Sequence, residues 1–126
     1  MIIQAILFEV LGSLLLTFLY LTQTEEKTKL SGDPAITTMI ISATYAALFA
    51  FSISFGVVTG SPFNPAVAFG IFFAVWWGGD LKKYKDFDIK LNLWVIVIFS
   101  YLGAILAVIL FEFVYKKAMS AVEEEE

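Results

Sequence analysis

The residues with the clearest chemical potential lie in the middle of the sequence, where Asn64-Pro65-Ala66 follows the stretch Gly60-Ser61-Pro62-Phe63. Proline is favoured at the first position of a helix and asparagine at the N-cap, so the sequence predicts a helix that begins at Pro65. The amide of Asn64 can donate hydrogen bonds to water or to a hydroxyl group. The positive end of the helix dipole, about half an elementary charge, repels cations at the same point. These residues therefore predict a place where small polar molecules are oriented and cations are excluded.

The residue types that most hydrolytic and metal sites require are missing. Histidine and cysteine are absent from the 126 residues, and all 8 basic residues are lysines. Such a site would have to use carboxylates, and nearly all of them lie in three charged patches, 25–33, 80–90 and 116–126. Glu9 is an exception, because it lies in an apolar stretch where an unpaired carboxyl is costly. No relay partner is visible for Glu9, so we interpret it as structural. The sequence predicts no catalytic residue, no metal site and no cofactor.

The elements that must position these residues are predicted to be membrane-spanning helices. Hydrophobic residues make up 60% of the chain and charged residues 16%, with a mean hydropathy of +0.85, a balance that a small soluble core cannot hide. A spanning helix needs about 20 apolar residues, and residues 2–22, 36–57 and 91–115 meet this condition. The run Glu123–Glu126 supplies much of the net charge of -4, so we predict a solvated acidic tail over 118–126 and no nucleic-acid binding.

Residues 58–77 remain apolar but cannot form one continuous helix, because Gly60, Pro62 and Pro65 interrupt them. The helix that follows runs only to about Trp77 and is too short to cross a bilayer. Non-helical backbone at membrane depth is tolerated only where protein shields it or where it lines a wet cavity. We therefore predict one all-α integral membrane domain over residues 1–126, with three transmembrane helices and one re-entrant half-helix.

Polar and small residues, most of them hydroxylated or glycine and alanine, follow one face of each predicted span. They are Glu9, Ser13 and Thr17 in the first span, Thr38, Ser42, Tyr45, Ser52 and Gly56 in the second, and Ser100, Gly103, Ala104 and Ala107 in the third. Residues of this kind let helices approach closely in lipid, so packing is the simpler interpretation. Pore lining is the alternative, and the sequence leaves both open.

In the order and spacing of these features, the chain resembles the aquaporin, or major intrinsic protein, family over nearly its whole length. The resemblance rests on Phe8–Ser13 around Glu9, on Thr59–Gly70 around the Asn-Pro-Ala motif, and on the last span from Trp94 to Phe113. An isolated Asn-Pro-Ala triplet is a weak signal, but at a helix start in a membrane chain of this layout it is a strong one. The resemblance implies an aquaporin-like fold and a passive channel that needs no cofactor.

The resemblance also implies roles for single residues. The Asn64-Pro65-Ala66 motif would line the centre of a pore. Glu9 would brace the re-entrant loop by accepting hydrogen bonds from its backbone, and Gly60 and Gly103 are assigned to the same structural brace.

Two positions depart from the pattern of water-selective relatives. Ser52 stands where those relatives have a histidine, and Val67 stands where an arginine follows their second Asn-Pro-Ala motif. A pore built from two such halves would therefore lack the narrow polar constriction of the family.

The family builds its pore from two halves in inverted orientation, and this sequence resembles one of them. A second half-unit would have to complete the pore, either as an antiparallel copy of this chain or as a different chain of the same family. Four lysines (Lys82, Lys83, Lys85 and Lys90) are predicted on one side of the membrane, and four (Lys27, Lys29, Lys116 and Lys117) on the other. Equal numbers leave no orientation bias, so insertion in both directions is permitted.

Two functions are open at this point. The first is a passive channel for water or a small neutral solute such as glycerol. The second is a non-conducting structural subunit of a larger membrane complex, for example an organellar one, and the half size and the missing filter residues favour it. An enzyme is not expected. The bilayer is an expected partner, and the membrane is not specified: the plasma membrane and organellar membranes, including the mitochondrial inner membrane, are all permitted.

Overall fold

The computed structural model describes residues 2–54, 62–78 and 89–125. Its helices, in chain order, are α1 (Ile2–Thr24), α2 (Pro34–Ser54), α3 (Pro65–Gly78), α4 (Ile89–Leu110), a π-helical segment (Phe111–Tyr115) and α5 (Lys116–Glu125). These ranges contain no strand. By length and composition, three helices can cross a membrane: Ile2–Thr24, Pro34–Ser54 and Leu93–Val122. The predicted fold class is confirmed as an all-α membrane architecture.

The loop between α1 and α2 folds back onto the end of α1. The Thr28 hydroxyl donates to the carbonyl of Thr22 (2.7 Å), and the backbone N–H of Leu30 donates to Oε1 of Gln23 (3.2 Å). Thr22 and Gln23 are both buried. Asp33 then caps α2 through its Oδ1, which accepts from the N–H of Ala35 (2.9 Å), so this helix begins at Pro34.

The end of α2 is described only in part. Residues 55–57 of the predicted second span and residues 58–61 of the predicted loop, including Gly56 and Gly60, lie outside the described ranges. The described backbone resumes at Pro62, and the half-helix α3 begins at Pro65.

The most extensive packing between helices joins α1 to α4. A side-chain methyl group at Gly103 would overlap the hydroxyl of Ser13 and the carbonyl of Val10, so only glycine fits the crossing. Ser13 and Ser100 satisfy their hydroxyls by donating to carbonyls of their own helices, those of Glu9 and Ile96. The two backbones therefore approach closely without leaving these buried hydroxyls unpaired.

Helix α4 continues through the π-helical segment into α5 without a break, so the predicted acidic tail is helical as far as Glu125. Lys116 lies at this junction. Its Nζ is 2.8 Å from Oε1 of Glu112 and 3.5 Å from Oε2 of Glu25 in the α1–α2 loop. The end of α1 and the end of α4 are therefore on the same side of the membrane, which we call side Y. The opposite side, where α1 begins, is side X.

Helices α2 and α3 have few buried side chains. Ser52 is the buried residue of α2 and Ala68 that of α3 among the described positions, and α3 packs mainly against α4. Large apolar side chains of α3 are exposed, Trp77 at 89% and Phe73 at 51%. In a bilayer these surfaces face lipid or another membrane helix.

Candidate functional site: a polar groove at the start of the half-helix

The start of α3 is capped by Asn64. Its Oδ1 accepts a hydrogen bond from the N–H of Ala66 (2.8 Å), and its carbonyl accepts from the N–H of Ala68 (3.1 Å). Pro65 occupies the first helical position, where the missing N–H costs nothing. The Asn64 side chain is exposed. Because its oxygen is engaged by the cap, its amide nitrogen keeps two donors for another molecule.

Phe63 precedes this cap and is bonded to α1. Its N–H donates to Oε2 of Glu9 (3.2 Å), and Glu9 is 0% exposed. The Phe63 backbone has a φ of 49°, in the left-handed region that bulky residues rarely adopt. A buried carboxylate of α1 is thus in contact with the backbone of the segment that leads into α3.

Tyr45 of α2 supports the same segment. Its hydroxyl donates to the carbonyl of Pro62 (3.2 Å), and its ring meets the Phe63 ring edge to face, with 6.1 Å between centroids and 80° between planes. A carbonyl can only accept, so the hydroxyl hydrogen of Tyr45 is committed and only its lone pairs are available to other molecules. On the other side, the Phe63 ring lies so close to Gly12 that a methyl group there would overlap it.

A groove of about 450 Å³ leads from Asn64 along α1 and α2. Its lining residues are Leu16, Thr17, Tyr20, Ile41, Ser42, Tyr45, Phe63 and Asn64. Because α1 runs towards side Y from Glu9 to Tyr20, the groove extends from the start of α3 towards side Y. α3 itself runs in the opposite direction, towards side X.

Two of the hydroxyls on this groove, those of Thr17 and Ser42, differ from several others in the bundle. Within the described ranges, Thr17 and Ser42 have no hydrogen-bond partner. By contrast, Ser13, Thr44 and Ser52 donate to carbonyls of their own helices. An unpaired hydroxyl is costly in hydrocarbon, so in this conformation these two groups are available to bond water, a polar solute or a polar partner.

The structure brings only part of the predicted site together. Glu9 and Asn64 meet through Phe63, with Pro65 and Ala66 at the start of α3. Ser52 is 1% exposed, donates to the carbonyl of Phe49 (2.8 Å) and does not line the groove.

The other assigned positions lie elsewhere. Val67 is on α3 and 42% exposed, and Gly103 is in the α1–α4 crossing. Gly60 lies outside the described ranges. The filter and brace roles of these residues stay predictions.

Three residues at the site were not given these roles by sequence reasoning: Gly12, Tyr45 and Phe63. Tyr45 belongs to the polar face predicted for the second span, which is a usable signal. No feature of the sequence indicates the conformation of Phe63, because positive φ values occur mainly at glycine and asparagine. The role of Gly12 could not be predicted, because it depends on the position of the Phe63 ring.

The sequence was compared with protein families, curated proteins and solved structures. No significant match was found among curated proteins or among solved structures. The family model described as "Major intrinsic protein" matches residues 1–120. This match covers nearly the whole chain, and it agrees with the three helices able to span a membrane and with the half-helix that starts at Asn-Pro-Ala. This integral membrane protein therefore belongs to the major intrinsic protein family of aquaporin-like channels.

Proposed function

We propose that this chain is one half of a passive membrane channel, which a second half-unit in inverted orientation completes, and that the channel conducts water or small neutral solutes. Membership of the family supports channel function in general. The observation that carries the specific proposal is the polar groove that ends at Asn64.

The groove places polar groups where lipid cannot pair them. The amide nitrogen of Asn64 and the hydroxyls of Thr17 and Ser42 lie on a bundle whose exposed surface is otherwise rich in apolar side chains. Hydrocarbon offers no hydrogen bonds, and each unpaired group costs free energy. A file of water or neutral solute molecules satisfies these groups. The positive end of the α3 dipole at Asn64 discourages cations from the same path.

The half-helix supports the need for a second half-unit. α3 packs mainly against α4, and much of its surface is exposed. A helix that starts inside the membrane requires protein or water around its first turn. A half-unit in inverted orientation brings its own half-helix in from side Y, over the groove, with its start facing Asn64. An antiparallel copy of this chain or another chain of the family meets this requirement.

The proposal is tested by solute flux into vesicles that contain the purified protein. Thr17→Val and Ser42→Ala remove groove hydroxyls without changing side-chain size greatly. Each is expected to lower water or glycerol permeability by about two- to tenfold, the value of one net hydrogen bond. Thr44→Val is the matched control, because the Thr44 hydroxyl donates to the carbonyl of Ile40 and lies off this groove.

Asn64→Asp belongs in the same experiment. It keeps the capping oxygen but removes both amide donors and adds negative charge, so ion exclusion is expected to weaken. Flux that is the same in Thr17→Val, Ser42→Ala and Asn64→Asp as in the unaltered protein contradicts the proposal.

The second candidate function is a non-conducting structural subunit of a larger membrane complex. Two observations favour it: Val67 follows the Asn-Pro-Ala motif where water-selective relatives carry an arginine after their second such motif, and Ser52 is buried away from the groove. This function predicts no flux above that of empty vesicles and co-purification with other membrane subunits.

A further inference from the structure

We propose that Phe63 is a positioning residue: its ring is clamped between α1 and α2, and this clamp holds the strained turn that presents Asn64 to the groove. The inference rests on the proposed function, because it concerns how the central polar group of the channel is aimed.

The backbone at Phe63 is strained. Its φ of 49° makes it the one non-glycine residue with a positive φ among residues 2–54, 62–78 and 89–125. A bulky side chain in this region crowds the neighbouring carbonyl, so the conformation persists only where its surroundings enforce it. Strain of this kind is concentrated at functional sites, and here it lies directly before the capping asparagine.

Two helices enforce the conformation through the Phe63 side chain. On the α1 side, the ring occupies the space that a methyl group at Gly12 would need. On the α2 side, the ring of Tyr45 meets it edge to face. The Phe63 side chain is 5% exposed, so turning it away would empty a buried seat between the helices. We call this seat, formed by Gly12 and Tyr45, the Phe63 seat.

The backbone on both sides of the ring is held as well. The N–H of Phe63 donates to the carboxylate of Glu9, and the carbonyl of Pro62 accepts from Tyr45. Asn64 follows with its cap on α3. A change of φ at Phe63 to the ordinary negative range would swing either the incoming segment or α3. The incoming segment is bonded to α1 and α2, and α3 packs on α4. Phe63 joins these two parts, so the seat that holds its ring also fixes where the Asn64 amide lies.

The test uses the full chain in lipid nanodiscs and four variants. Phe63→Gly accepts the positive φ but removes the ring. Gly12→Ala keeps the ring but fills its seat. The double variant Gly12→Ala/Phe63→Gly has neither the ring nor the space for it. Gly70→Ala is the matched glycine control, because a methyl group at Gly70 meets nothing within 4 Å.

The first readout does not depend on conduction. The sequence contains two asparagines, Asn64 and Asn92, so selective ¹⁵N-asparagine labelling gives two side-chain amide signals, and Asn64→Asp assigns them. In Phe63→Gly and in Gly12→Ala, the Asn64 side-chain amide signal is expected to shift, because the Phe63 ring no longer holds the turn that positions this amide. Gly70→Ala leaves the signal in place.

The second readout is the ratio of ion flux to neutral-solute flux in proteoliposomes, which is expected to rise in the same two variants. The double variant is expected to match Phe63→Gly alone in both readouts, since an added methyl group at residue 12 disturbs Asn64 only through the ring. Far-UV circular dichroism of each variant checks that the helices are retained.

The outcomes separate this inference from the proposed function. Absence of flux in the unaltered protein contradicts the proposed function, while the amide signals still test the role of Phe63. An unchanged Asn64 signal in Phe63→Gly overturns the inference. If Phe63→Gly does not fold, Gly12→Ala decides: an unchanged signal and flux ratio in that variant overturn the inference, and a shifted signal supports it.

Discussion

Glu9 is fully buried in α1, and its carboxylate accepts from the N–H of Phe63 (3.2 Å). A residue in this place can act as an acceptor, as a charge or as both. Glu9→Gln removes the charge and keeps a carbonyl oxygen, whereas Glu9→Leu removes the acceptor as well. Comparing two neutral side chains therefore isolates the acceptor from the cost of burying a charge.

We expect the Glu9→Leu protein to be less stable than the Glu9→Gln protein by about 1–3 kcal/mol, the cost of a buried N–H left without a partner. Reversible unfolding in mixed detergent micelles measures the difference. Equal stabilities of the two variants would show that the bond to Phe63 contributes nothing measurable to the fold.

Single residues also mark the limit of what the sequence could predict. Asn64 as a helix cap and Glu9 as a buried structural carboxyl follow from residue type and surroundings, because both depend on local chemistry. The positive φ of Phe63 depends on Gly12 and Tyr45, which lie 51 and 18 positions away in the chain. Nothing in the local sequence carries that information, since a phenylalanine at this position is compatible with ordinary extended backbone.

At the scale of helices, the contact between α1 and α4 is a close fit that depends on a glycine. Gly103→Ala adds a methyl group that overlaps the Val10 carbonyl, a backbone atom that cannot rotate away, and the Ser13 hydroxyl. Overpacking of this kind is expected to destabilise the protein by about 1–3 kcal/mol.

Gly70→Ala again provides the control, because it makes the same chemical change at a helical position where the added methyl group meets nothing within 4 Å. Unfolding of the two variants in detergent gives the comparison. A Gly103→Ala protein as stable as Gly70→Ala would mean that α1 and α4 can separate at no cost.

The helices themselves were largely predictable, because hydropathy and length report directly on what a bilayer requires. The half-helix was predictable because Pro62 and Pro65 interrupt the apolar stretch. The π-helical segment at Phe111–Tyr115 had no such marker: neither glycine nor proline occurs there. Its rings pack around Phe18, with centroid distances of 6.2 Å to Phe111 and 5.5 Å to Tyr115, and these contacts with α1 are tertiary information that periodicity does not contain.

At the scale of the whole molecule, the proposed pairing makes a prediction about topology. The chain has no cysteine, so single cysteines can be introduced and labelled cleanly with a membrane-impermeant maleimide. Ser31→Cys places a thiol in the α1–α2 loop on side Y, and Ile2→Cys places one at the start of α1 on side X.

If antiparallel copies pair, each thiol is expected to be labelled from the outside in about half of the molecules, because equal lysine numbers on the two sides permit both insertions. The mildly solubilised particle is then expected to have twice the mass of the 14.0 kDa chain, apart from bound detergent. Complete labelling at one position and none at the other excludes the antiparallel homodimer, and leaves a different family member as the second half or the structural-subunit function.

The unbroken helix from Ile89 to Glu125 has a practical consequence for imaging. At 1.5 Å per residue it is about 55 Å long, whereas the hydrocarbon of a bilayer is about 30 Å thick. Its last turns therefore rise above the lipid on side Y as a stiff stalk that is continuous with the bundle. A soluble protein fused in helical register at Glu125 would inherit the orientation of α4, and so provide the alignment mark that a 14.0 kDa membrane protein lacks in electron cryo-microscopy.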